Sequence, residues 1–232
     1  MTSQKLLDAI ASGEAVEDAD LSEVDWKDAA CAEARFVRCR FTKCRFAHTD
    51  FRGASFEECI FTDKAASVGC TFAFTEMREV RFTRCDLSFC HFDRARVFDI
   101  QMERCNLLGA KFSAADFSHS FGRKVTQIKA AIRRCNLDVT NLVGIRLPQC
   151  DLTGSSFREA DLTDADLSGA NLRECMLEAA ELLRANLANA DVRHAKIAGL
   201  NVLSLRSMKG LKVSADQQWL LLAALGIEVD PD

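Results

Sequence analysis

The sequence predicts a stacked solenoid, and three observations carry that reading: an apolar residue at every fifth position, a small residue two places before each of them, and almost no proline. The 232 residues hold only 2 Pro and no Tyr, but 16 Phe and 11 Cys. From Leu21 the series runs Leu21, Trp26, Cys31, Phe36, Phe41, Phe46, Phe51, Phe56, Phe61. After a slip it resumes at Phe72 and continues through Phe117, then from Leu137 to Val202. In the resumed frame only Gly122 and Gln127 are not apolar, whereas a composition that is 48% hydrophobic would leave about half of such positions polar by chance. A period of five fits neither the 3.6 of a helix nor the 2 of a strand. It suits a chain that turns a corner every five residues. One such repeat cannot bury its own apolar face, so the coils must stack on one another.

The small residues come next. Ala or Cys fills most positions two before a centre, and ten of the 11 cysteines fall there, the eleventh, Cys31, being a centre itself. These cysteines read as small hydrophobes in a tight interior. An odd count without a signal-peptide h-region also argues against a secreted disulfide framework. Twelve of the 16 Phe are centres, mostly before Phe117, and are read as packing.

In chain order, residues 1–18 read as an N-terminal helical cap. Ser3 opens a helix bearing Leu6, Leu7 and Ile10 that stops near Gly13. Residues 19–204 form the solenoid, interrupted by loops at about 62–70 and 121–134. The first loop offers Asp63 and Lys64. The second carries Arg123, Lys124, Gln127, Lys129, Arg133 and Arg134 and no acidic residue. Loops on a rigid scaffold are the natural places for partner contacts. Residues 205–232 hold a helix opened by the capping-box pair Ser214 and Gln217. It carries Trp219, Leu220, Leu222, Ala223 and Leu225 and stops at Gly226. That helix is apolar almost all round. One side is expected to cap the last coil and the other to join a second copy end to end.

Stretches such as Ala160-Asp161-Leu162-Thr163-Asp164 and Ala170-Asn171-Leu172-Arg173-Glu174 match the alanine, aspartate or asparagine, leucine signature of pentapeptide-repeat proteins. This resemblance covers about residues 19–202. It implies an all-β solenoid, a right-handed quadrilateral β-helix with four repeats to a coil and about nine coils. Gly69-Cys70-Thr71-Phe72, Cys85-Asp86-Leu87-Ser88, Gly109-Ala110-Lys111-Phe112 and the tail from Gly210 to Ile227 further resemble the Qnr-type members. Those members protect DNA gyrase and topoisomerase IV from quinolones. The resemblance implies a partner protein of the type II topoisomerase class and dimerisation through the C-terminal helix.

Charge is uneven along the chain although the net is −4. Between Arg35 and Arg52 six bases face one acid. Between Asp151 and Asp191 acids outnumber bases nine to three, among them Asp151, Asp161, Asp164, Asp166, Glu181 and Asp191. An acidic half-rod of this kind is expected to imitate DNA in a basic groove. The four histidines are scattered, with no zinc-ligand spacing, no phosphate loop and no nucleophile motif. We therefore expect no enzyme activity, no cofactor, no metal, no direct nucleic-acid contact and no membrane association, in a cytoplasmic setting. The other reading is a scaffold or interaction protein with no topoisomerase role, for example in a secretion or envelope assembly.

Overall fold

The computed structural model describes residues 9–10, 12–122 and 125–228. Within them the five-residue period becomes a square coil. The large centres point inward, and at most of them the carbonyl accepts the amide three residues on as the chain turns: Ala34 N donates to Cys31 O, and Ala165 N to Leu162 O at 3.0 Å. The third residue of such a turn takes the left-handed conformation, as in His48, Phe74, Asp164 and His194. That conformation is what a type II turn demands at this position.

Twenty residues complete a coil. The coils stack in parallel register, with Asp20 opposite Arg40 and Asp151 opposite Asn171. The first face of the square is the longest regular ladder. It runs β1 (Ala15–Glu17), β2 (Arg35–Val37), β3 (Ser55–Glu57), β6 (Arg81–Thr83), β7 (Ile100–Glu103) and β10 (Ala130–Arg133). Single bridges extend it through Asp151, Asn171 and Asp191 to Lys212. Nine coil-to-coil steps of about 4.8 Å make a right-handed rod on the order of 43 Å long. The second, third and fourth faces follow from the centres Leu21, Trp26 and Cys31.

The interior is one continuous apolar cluster. Phenylalanine rings stack in columns at the coil rise: Phe41 on Phe61 at 4.8 Å, and Phe72 on Phe92 on Phe112 at 4.9 and 4.7 Å. In the first coil Trp26 reaches Phe36, Phe41 and Phe46 of the coil above, and the centre beside it is the small Cys31. All eleven cysteines are buried and unbridged, as the spacing expects.

The rod is longer than expected at both ends. The expected boundary at residue 18 falls inside the first coil, because Val16 is 3% exposed and Ala15–Glu17 pairs with Arg35–Val37. At the other end, Lys212 still pairs with Asp191, beyond the expected end at 204. The N-terminal helix expected from Ser3, Leu6 and Leu7 lies outside the described residues. Ala9 and Ile10 pack on the first coil, and Gly13, at φ +74°, donates to Ile10 O. The C-terminal element is a 3-10 turn, Ala215–Gln217, running into a short helix, Gln218–Ala224.

Candidate partner-binding surfaces

Two antiparallel hairpins break the square. In the first, β4 (Thr62–Asp63) pairs with β5 (Val68–Gly69). Asp63 holds the tip by accepting the amides of Ala65 and Ala66 at 3.1 and 3.3 Å. Lys64 reaches back to Asp86 at 3.0 Å. The return strand lies so close to the rod that a Cβ on Gly69 would sit 2.4 Å from backbone atoms of Phe89 and Cys90. In the second, β8 (Ser118–Phe121) pairs with β9 (Val125–Ile128), setting His119 opposite Gln127. It is seated by aromatics: Phe98, 7% exposed, meets His119 at 5.2 Å and Phe121 at 5.9 Å. A cleft of about 290 Å³ opens beneath it, lined by Arg52, Arg78, Glu79, Phe98, His119 and Phe121.

The hairpins do not share a surface. The first leaves the rod after Phe61, at the corner between the second and third faces. The second leaves after Phe117, at the corner between the fourth and first. These corners are diagonally opposite, and the hairpins stand two coils apart.

The expected second loop, 121–134, is displaced in the structure. The hairpin begins at Ser118, and Arg133 belongs to β10 on the rod wall, its guanidinium at 2.5 Å from Asp151. Arg134 pairs with Glu103 at 3.1 Å and Lys129 with Asp99 at 2.6 Å. These three bases brace the hairpin's exit from the rod. Arg123 and Lys124 lie outside the described residues. On the described hairpin Phe121 and Val125 are half-exposed, and Gln127 is exposed as well. Phe98 is the sequence signal for this seat, since the coils on either side place Arg78 and Ser118 at the same outward position.

The six acids do not form one face. Asp151 and Asp191 lie on the first face, Asp161 and Glu181 on the third, Asp166 on the fourth, and Asp164 at a corner. Three are neutralised by arginine: Asp151 by Arg133, Asp164 by Arg184 and Arg206, and Asp191 by Arg193. Hydrogen bonds from Arg193 hold the Asp191 carboxyl below the usual carboxylate range, and those from Arg184 do the same for Asp164. Asp161, Asp166 and Glu181 have no basic partner among the described residues.

The end helix divides into two sides. Leu220, Leu221 and Ala224 pack on the rod, while Trp219, at 63% exposed, Ala223 and Leu225 face away. Leu220 is thus a capping residue and not part of the outward side. Among the described residues no group of three or more His, Cys, Asp or Glu is placed to hold a metal, and no helix is long and apolar enough to cross a membrane.

The family profile described as pentapeptide repeats matches residues 19–63, 132–169 and 165–199, in eight copies. Full-length QnrB1, a plasmid-mediated fluoroquinolone resistance protein, superposes with a TM-score of 0.87 at 24% identity, covering 92% of this chain and 100% of that one. HetL, a pentapeptide repeat protein involved in heterocyst differentiation regulation from the cyanobacterium Nostoc, gives 0.50 at 21%, covering 91% and 94%. No curated protein matches the chain. At these identities the likeness is one of fold.

Proposed function

Because the chain is a pentapeptide-repeat protein, we propose that it acts without catalysis, by binding a type II topoisomerase and protecting it from quinolones or related poisons. One observation carries this reading: the fold likeness runs the whole length of a fluoroquinolone resistance protein.

The charge pattern refines how such a rod engages its partner. Glu159, Asp161, Asp166, Glu174 and Glu181, none with a basic partner among the described residues, put five carboxylates on about 10 Å of rod, against roughly six phosphates on 10 Å of duplex DNA. A carboxylate density close to that of the duplex provides steering toward a basic groove. Specific contact then falls to the hairpins. Because these stand on opposite corners, a partner touching both must enclose the rod or meet it through two separate surfaces. A second copy, joined end to end through the outward side of the C-terminal helix, places the two acidic ends next to each other.

A gyrase supercoiling assay with and without ciprofloxacin tests the proposal. Restored supercoiling in the drug's presence supports it. Neither protection nor inhibition at micromolar protein removes it, and a pull-down that returns apparatus components without topoisomerase subunits favours the scaffold reading instead.

A further inference from the structure

The third face of the rod changes sign along its length. Its outward column reads Asp25, Arg45, Thr71, His91, Lys111, Asn141, Asp161 and Glu181, each stacked on the next in parallel register. Arg45 and Lys111 are exposed and have no acidic partner among the described residues. Along the neighbouring corner a second column stands beside them. His48 stacks on Phe74 at 5.5 Å with the rings 21° apart, and the Arg94 guanidinium lies 5.5 Å from the centre of the same ring. Phe74 is 49% exposed at a corner where the chain otherwise places His, Arg, Asp or small residues. The first hairpin leaves the rod at the opposite edge, where Gly69 lies against Phe89 and Cys90, and leans over the second face through Lys64 and Asp86. The third face is thus left open as a shallow trough with Arg45 and Lys111 along its floor and an aromatic rim on one side.

We propose that this trough binds single-stranded nucleic acid. A track of cations about 14 Å long, three coil steps from Arg45 to Lys111, follows a phosphate backbone. An exposed ring already partnered by an imidazole and a guanidinium offers a surface on which an unpaired base stacks. A duplex keeps its base faces hidden and gains nothing from Phe74. The acidic rear of the same face, Asp161 and Glu181, repels the strand and fixes where it ends. Of the nearby carboxylates, Asp93 is held 3.3 Å from the His91 ring, which leaves Arg45, Arg94 and Lys111 as the available cations. This inference departs from the expected absence of nucleic-acid contact and is independent of the topoisomerase reading, because its test contains no topoisomerase.

The test is fluorescence anisotropy of a labelled thymidine oligomer of about 20 nucleotides with the full chain at low salt. The expected dissociation constant lies between about 10⁻⁶ and 10⁻⁴ M, with three cation contacts giving a log–log salt slope near −2. Lys111→Gln should flatten that slope by about 0.7, whereas Phe74→Ala should weaken binding several-fold and leave the slope unchanged. Arg96→Gln, on the fourth face beside Glu76, should change nothing. Circular dichroism of each variant checks that the rod is intact; these side chains are all outside the core. Unchanged anisotropy at about 100 μM protein overturns the proposal. So does equal affinity for a duplex of the same sequence, or tighter binding of polyglutamate, which assigns the trough to an acidic peptide.

Discussion

The side-chain amide of Gln217 donates to the carbonyl oxygen of Val192 at 2.8 Å, across the open end of the rod. The same nitrogen reaches Ala195 O at 2.7 Å, and the Gln217 oxygen accepts the Ser214 amide at 2.8 Å. A stacked solenoid ends in carbonyls that have no further coil to pair with, and a buried carbonyl without a partner is costly. Gln217, 2% exposed, fills that need with one side chain.

Gln217→Ala should therefore lower stability by about 1–3 kcal/mol in urea unfolding. Gln217→Glu should cost more, since a carboxylate would face two carbonyl oxygens. Equal stability of all three proteins would show that water replaces the amide freely.

Gly69 is constrained by space. Its φ is not in the left-handed region, yet an added Cβ would meet the backbone of Phe89 and Cys90 at 2.4 Å. Backbone cannot swing aside as a side chain does. Gly69→Ala is expected to lift the first hairpin and cost about 1–3 kcal/mol. Hydrogen exchange should quicken at residues 62–70 and stay slow in the flanking coils.

Much of this architecture is legible from the period of five, and the failures have physical causes. The first hairpin adds six residues, as the pairing of Arg45 with Thr71 shows, so it shifts the frame and announces itself. The second adds ten, as Asn106 opposite Asn136 shows, and ten is two whole repeats. The frame therefore returns in phase. Gly122 and Gln127 look like failed centres although they were never coil positions, and Arg133 looks like loop although it lies on the wall. Register cannot detect an insertion that is a multiple of its own period. Val16 is in frame one repeat before Leu21, but Glu14 stands where the series has a small residue, so the repeat is not recognisable there. The spread of the acids over three faces follows from the same geometry: neighbours five apart in sequence point to different sides of the square.

The cysteines supply a sharper test of register. Cys39, Cys59, Cys85, Cys105 and Cys135 occupy one column, each at most 2% exposed. Burial raises the thiol pKa, to about 12 at Cys31 and Cys175 and about 11 at Cys150. A thiol needs both access and ionisation to react. A bulky aromatic disulfide reagent should label none of the eleven in the native state and all of them in urea. Cys105→Ala should be mild, because Ala occupies the same position in other coils, while Cys105→Leu should overpack the core at about 1–3 kcal/mol.

Acid should loosen the rod only at low pH. Hydrogen bonds from Arg52 lower the pKa of Asp50, and those from Arg193 lower that of Asp191. A carboxyl whose folded pKa lies below its unfolded one stabilises the fold above the unfolded value. That stabilisation is lost as pH falls through the lower, folded value. Urea midpoints should thus hold from neutral pH down to the ordinary carboxylate range and fall below it. Arg193→Gln should shrink the fall, because Asp191 loses the largest of the contacts that lower its pKa in the folded state. A midpoint that drops steadily from neutral pH would refute this assignment.

The two sides of the C-terminal helix predict opposite outcomes for similar substitutions. Leu220 and Leu221 pack on the rod, so Leu221→Glu should bury an unpaired carboxylate against the last coil and destabilise each subunit. Trp219 is 63% exposed, with Leu225 and Ile227 half-exposed beyond it. About half of each of these three side chains remains exposed, so burying them from each of two copies gains on the order of 4–9 kcal/mol at about 1.5–3 kcal/mol per fully buried side chain. The cost of association is about 4–15 kcal/mol, so the pair forms only with association cost at the lower end of that range. Trp219→Glu should therefore yield a monomer by light scattering with the wild-type circular dichroism spectrum and unfolding midpoint. Leu221→Glu should lower the midpoint whatever the oligomeric state. A wild-type protein that is monomeric at about 50 μM, where a pair even of micromolar affinity would form, leaves the outward side without a mate and ends the dimer proposal.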